Sequence, residues 1–105
     1  GTGTENNDAS EGAAVQALFG SNVPPASSTK GFTGHTLGAS GSVEAVYAVL
    51  SIQNQVALPH IRLQTPIENL NWQPNTELKQ MPVEHVLSNS FGFGGNCSSL
   101  VISKA

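Results

Sequence analysis

A chain of 105 residues is one domain at most, with room for a single modest hydrophobic core. Its net charge of −3 gives no broad electrostatic footprint for nucleic acid, since Lys30, Arg62, Lys79 and Lys104 are scattered. No apolar run approaches the ~18 residues of a membrane span. Only 10% of residues are charged, which reads either as a large surface covered by something else or as a small neutral domain.

The single cysteine, Cys97, excludes an internal disulfide and any CxxC metal motif, and points to a reducing compartment. The start, Gly1-Thr2-Gly3-Thr4, has neither the charged nor the apolar region of a signal peptide, so the cytoplasm is the default expectation.

In chain order, residues 1–7 are rich in Gly, Thr and Asn and read as a loop. Asp8 or Ser10 can cap a helix that starts near Glu11, carries Ala13, Ala14, Val15, Ala17, Leu18 and Phe19, and stops at Gly20. Residues 23–30 contain two prolines and then Ala26-Ser27-Ser28-Thr29, a short strand leaving a turn. Residues 33–54 predict a helix with hardly any continuous polar face. Leu37, Val43, Val46, Val49, Leu50 and Ile52 are joined by Gly34, Gly38, Gly41, Ala45 and serines. Such a helix is buried, and a chain this short cannot cover it on every side. Residues 56–63 read as an edge strand bent by Pro59. Residues 65–81 are a polar surface excursion that Trp72 can pin to the body. Residues 83–90 and 98–103 predict a hairpin around Phe91-Gly92-Phe93-Gly94-Gly95-Asn96. The order of elements is α/β, in one domain over residues 1–105.

His35 stands at the predicted start of the buried helix. Free N–H groups and a partial positive charge there disfavour imidazolium. A neutral histidine can then donate a ring N–H to a developing oxyanion. A satisfied structural histidine is the plainer reading, and the one adopted for His60 and His85. Lys30 and Glu44 both flank the predicted helix and can pair across its first turns, either as a solvated ion pair or as a buried one that sets the environment of His35. The turn Gly92-Phe93-Gly94-Gly95 lacks the third glycine of a dinucleotide fingerprint and sits in a hairpin. Gly38-Ala39-Ser40-Gly41-Ser42 misses the hydrolase elbow by one position. Cys97, with no electropositive neighbours in sequence, is expected to be buried and inert.

Three blocks together resemble the β-ketoacyl synthase family. They are Gly1-Thr2-Gly3-Thr4 with Asn7-Asp8, Ser27-Ser28-Thr29-Lys30-Gly31-Phe32-Thr33-Gly34-His35 through Gly41-Ser42-Val43-Glu44, and Ser88-Asn89-Ser90-Phe91-Gly92-Phe93-Gly94-Gly95. The resemblance implies the C-terminal half of a thiolase-like fold, with βαβαββ halves in layers around a buried central helix. It also implies a decarboxylative Claisen condensation between an acyl group on a cysteine and malonyl-acyl carrier protein, in fatty acid or polyketide-like synthesis. On that resemblance His35 is the second catalytic histidine, Lys30 supports the active-site hydrogen bonds and Glu44 is its acidic partner. Thr2 and Thr4 hold the phosphopantetheine arm, while Phe91 and Phe93 form the gate beside the acyl pocket. Glu44, Ser88 and Asn89 match positions that hold a structural monovalent cation in some members.

The implied partners are an acyl carrier protein, an N-terminal half that supplies the nucleophilic cysteine, and a second copy of the full enzyme in a dimer. No cofactor of the protein's own is implied, because the substrate carries the phosphopantetheine. No nucleic acid or membrane partner is expected. The first histidine of the family's H-G-T-G-T motif would fall just before Gly1, so this chain alone is expected to be an inactive acyltransferase fragment. Asn96 and Cys97 depart from the family's Thr and Asn after the glycines.

Four rivals stand beside this reading. A chain-length-factor-like paralogue would lack the lysine or histidine that are present here. A modular polyketide domain would continue into a longer chain, where Ala105 reads as a terminus. A thiolase would show a C-x-G-x-G pattern. A fragment that acts only as an interaction module would show no turnover.

Overall fold

The computed structural model describes residues 1–105. The first helix, α1, spans Asn7–Phe19 and begins earlier than the acidic residues alone suggest, with Asn6 at its N-cap and Asp8 in its first turn. The Asn7 side-chain amide donates to Glu11 Oε2 one turn on, at 3.2 Å. Gly20 ends the helix at φ 60°, and its amide donates to the Gln16 carbonyl at 2.8 Å.

Chain contacts divide the protein into two units, residues 1–35 with 58–78 and residues 36–57 with 79–105. In the first unit, α1 is clasped by the loop around Trp72. The Trp72 indole donates to the Gly12 carbonyl at 3.1 Å, and the Asn71 amide donates to Gln16 Oε1 at 2.7 Å. Trp72 therefore pins the loop, as its isolation in a polar stretch predicts.

The short strand expected at residues 26–29 does not form. The Ala26 carbonyl accepts from Asn75 N–H and the Ser28 N–H donates to His60 Nδ1 instead of to a ladder, and a single helical turn, α2, follows over Lys30–Thr33. Residues 58–78 are irregular and held by Asn75. Its amide N–H donates to the Ala26 carbonyl at 2.8 Å, and its side chain donates to the carbonyls of Leu58 and Glu77 at 3.1 and 2.8 Å.

In the second unit, a 3-10 turn over Leu37–Ala39 leads into α3, Ser40–Asn54. The long helix expected over residues 33–54 is thus broken. Gly34 at φ 73° closes α2, and Leu37 at φ 53° also leaves the helical region. Only Ser40, Ala48, Ser51 and Ile52 of α3 are buried, while Val46, Val49 and Leu50 stay exposed. Burial of α3 is one-sided within this chain.

After α3 come β1, Val56–Ala57, and β2, Lys79–Gln80, a two-residue antiparallel pair with Val56 opposite Gln80. The strand expected over residues 56–63 stops at Ala57. The hairpin forms as expected, with β3 over His85–Phe91 and β4 over Cys97–Ser103. Its register sets Val86 opposite Ile102, Ser88 opposite Leu100 and Asn89 opposite Ser99. A Cβ added to Gly41 of α3 would lie 3.1 Å from Ser90 Oγ, so Ser90 and its same-parity neighbours Ser88 and Val86 face the helix. The architecture is a small domain of mixed helix and strand.

Candidate active site

Within the first unit, the chain's start, α1, the turn at Lys30 and the segment at His60 line an open cleft of about 280 Å³. Thr2, Lys30 and His35, all singled out from the sequence, line it. Thr4 is tied to the same edge by a 2.7 Å hydrogen bond between the Thr2 and Thr4 hydroxyls.

Lys30 is set by a local chain of contacts. Its amide donates to Ser28 Oγ at 3.3 Å, and its carbonyl accepts the Gly34 N–H at 2.9 Å, closing the single turn of α2. The turn has φ 73° at Gly34, a left-handed conformation that favours glycine. The chain then leads directly to His35.

His35 is therefore not at the N-terminus of a long buried helix. It is exposed and lies between α2 and the 3-10 turn, before α3 starts at Ser40. The helix-end argument for a neutral imidazole does not apply to it. Lys30 and Glu44 likewise do not flank one helix, since Lys30 opens α2 and Glu44 belongs to α3. Glu44 Oε1 accepts from the Ser40 hydroxyl at 3.4 Å.

Asp8, expected only as a helix cap, also lends the cleft a negative charge. In the 105-residue chain the free Gly1 amino group, 2.7 Å from Asp8 Oδ1, holds the carboxyl below the usual carboxylate range. Partial desolvation opposes this, while the Asn7 amide and the charge of His60 add to it. The cleft also contains Ser28 and His60. The residue order gives no sign of either, because the Ser28–His60 hydrogen bond spans 32 positions.

The remaining candidates belong to the second unit. Phe91 ends β3 opposite Cys97, and Phe93 projects from the turn at 94% exposure. Gly94 and Gly95 adopt φ 86° and 85°, and the Gly92 amide donates to the Asn96 carbonyl at 2.8 Å. Because a main-chain carbonyl makes that bond, the unusual Asn96 side chain leaves it intact. Cys97 is exposed, not buried, because the strand that it begins has nothing packed over that end.

Glu44, Ser88 and Asn89 do not fit as three side chains around one cation. Ser88 shares the α3-facing side of the hairpin with Ser90, whereas the next residue, Asn89, faces the opposite side. There Asn89 Oδ1 accepts the Ser99 hydroxyl at 2.8 Å.

A primary ammonium, two imidazoles and hydroxyls around one cleft can donate hydrogen bonds to a developing oxyanion. No thiol lines the cleft. The arrangement can stabilise charge but has no cysteine nucleophile of its own.

A family model described as "Beta-ketoacyl synthase, C-terminal domain" matches residues 1–64. The chain is 44% identical over 108 residues to the 3-oxoacyl-(acyl-carrier-protein) synthase 2 of Coxiella burnetii, covering 99% of this chain and 26% of that protein. It is 40% identical over 109 residues to the Escherichia coli K12 synthase 1 of the same name, with the same two coverages. The mitochondrial synthase of that name from Arabidopsis thaliana is 40% identical, covering 97% of this chain and 23% of that protein. The chain thus spans about a quarter of the length of these relatives, a smaller share than the half expected from the sequence.

Proposed function

Since the chain belongs to the β-ketoacyl synthase family, as part of its C-terminal domain, we propose that the whole protein condenses an acyl thioester with malonyl-acyl carrier protein. The observation that carries this reading is the shared cleft of Lys30, His35 and Thr2. The relatives' names supply the carrier-protein substrate.

The reaction divides between two pieces of protein. A cysteine outside these residues carries the acyl group as a thioester, which splits the transfer into two easier steps. Malonyl loses carbon dioxide, and the electron pair of the broken C–C bond becomes an enolate on the remaining thioester. His35 donates a ring N–H to the enolate oxygen, and the Lys30 ammonium stabilises the same charge. The enolate carbon then attacks the acyl carbon, and the cysteine leaves as thiolate. Thr2 and Thr4 hold the phosphopantetheine arm, and the family resemblance gives Glu44 the role of an acidic supporting residue and Phe91 and Phe93 that of gating phenylalanines. The whole protein adopts thiolase-like layers, works as a dimer in the cytoplasm, and builds fatty acids. The exposed Val46, Val49, Leu50, Leu87 and Val101 support a larger assembly that covers them. The presence of both Lys30 and His35 argues against a non-catalytic paralogue.

The test is the full-length protein supplied with malonyl-carrier protein and an acyl donor, following carbon dioxide and 3-oxoacyl product. His35→Ala should slow carbon dioxide release by about 10²- to 10³-fold, the usual effect of removing one oxyanion donor. A full-length protein that makes neither product would remove the proposed function.

A further inference from the structure

We propose that His60 is a positioning residue for Lys30, acting through Ser28; the claim about catalysis rests on the function proposed above. His60 Nδ1 accepts the Ser28 backbone N–H at 3.2 Å in a part-buried setting. Ser28 Oγ in turn accepts the Lys30 N–H at 3.3 Å. The His60 backbone is itself fixed, since its N–H donates to the Asn75 carbonyl at 2.6 Å and Asn75 N–H reaches Ala26 at 2.8 Å. On the other side of Lys30, a Cβ added to Gly31 would lie 2.7 Å from Ile61 Cγ1, so the residue after His60 rests against that glycine.

Residues 60–61 therefore brace the segment that carries Lys30 at Ser28 and again at Gly31. This matters because α2 has four residues and no side-chain cap bond at its start. A single turn has little stability of its own, since the cost of its nucleus is not repaid by propagation. The place of the ammonium then depends on contacts made by a distant segment.

The bond also fixes the protonation pattern of the ring. An Nδ1 that accepts carries no proton, so the neutral ring holds its proton on Nε2. Imidazolium has no acceptor, and protonation of Nδ1 releases the Ser28 amide. The other ionisable side chains that line the cleft with His60 are Asp8 from α1, Lys30 from α2 and His35.

Two variants of the full-length protein separate the roles. His60→Leu removes the acceptor, whereas His60→Asn keeps an oxygen close to the Nδ1 position. His60→Leu should lower kcat for malonyl decarboxylation roughly 10- to 100-fold, the scale expected for a small misplacement of a catalytic group. KM for malonyl-carrier protein should change little. His60→Asn should recover most of kcat. Equal kcat in His60→Leu and the unaltered protein, or equal loss in both variants, would overturn the proposal. Nitrogen NMR of the unaltered full-length protein reads the ring without any activity or variant. An unprotonated Nδ1 with Nε2–H at neutral pH supports the assignment, and a protonated Nδ1 sinks it. An unaltered protein with no condensation would count against the proposed function, and the ring's protonation by NMR would then decide the His60 contact by itself.

Discussion

Arg62 and Gln55 both hold positive φ, 66° and 56°, where a side chain costs about 1–2 kcal/mol relative to the right-handed regions. The consequences differ because their side chains do. Arg62 is exposed, so Arg62→Asn, which tolerates this backbone, should raise stability by about 0.5–1 kcal/mol in denaturant unfolding of the full-length protein. Gln55 Nε2 donates to the carbonyls of Ile52 and Val83 at 2.6 and 2.8 Å, and Oε1 accepts the Val83 N–H at 3.1 Å. Three bonds worth about 1 kcal/mol each outweigh the strain, so Gln55→Gly should lower stability by about 1–2 kcal/mol in the same measurement. Asp8 gives a prediction in pH. In the 105-residue chain, whose Gly1 amine is free, its folded pKa is lowered, so its contribution is present above the ordinary carboxylate pKa and fades as pH falls through the depressed value. Acetylating Gly1, or extending the chain before it, replaces the ammonium by an amide. The Asp8 carboxyl should then titrate at higher pH, as carbon NMR would show. At this scale the sequence singles out Thr2, Lys30 and His35, which line one cleft, because their motif is local. It could not show His60, whose role depends on a partner 32 positions away.

Among the elements, α1 shows why one glycine sits in the middle of a helix. Alanine there would gain about 1 kcal/mol in helix propensity. However, Gly12 is buried, and a Cβ on it would collide with the Leu70 side chain, beside the carbonyl that accepts the Trp72 indole. Leu70 Cδ1 is the free end of a flexible side chain and can turn aside, so the two effects largely offset and Gly12→Ala should move the melting temperature little. The elements legible in the residue order have strong local signals. Helix α1 has its acidic start and Gly20, and the hairpin has alternating residues around glycines. The strands expected at residues 26–29 and 56–63 fail because Asn75 and His60 supply other partners for Ala26 and Ser28, and because Pro59 removes a ladder donor and Asn75 takes the Leu58 carbonyl. The helix expected from residue 33 fails because an apolar pattern does not reveal backbone breaks at Gly34 and Leu37.

For the whole molecule, surface area is the informative quantity. A folded monomer of this mass exposes about 5,600 Å² by the general scaling, whereas this chain exposes 7094 Å². Its buried hydrophobic core consists of Ala48 and Ile52. The low charge content suggests a covered surface, but it cannot say which face. Separated from the rest of the protein, the chain should release no carbon dioxide from malonyl-carrier protein and should show rapid amide exchange in α3. Turnover by the separated chain would show that no outside cysteine is needed. The hairpin carries a further consequence. The sheet of β3 and β4 has only those two strands, so each strand has one flank without a β-ladder neighbour. Such flanks are where another strand can add in register. With Leu87 and Val101 exposed as a cross-strand pair, a separated chain offers a second copy both a hydrogen-bonding template and an apolar surface. Its solubility would be limited by self-pairing at a sheet edge, and a lysine placed at Val101 would oppose that pairing.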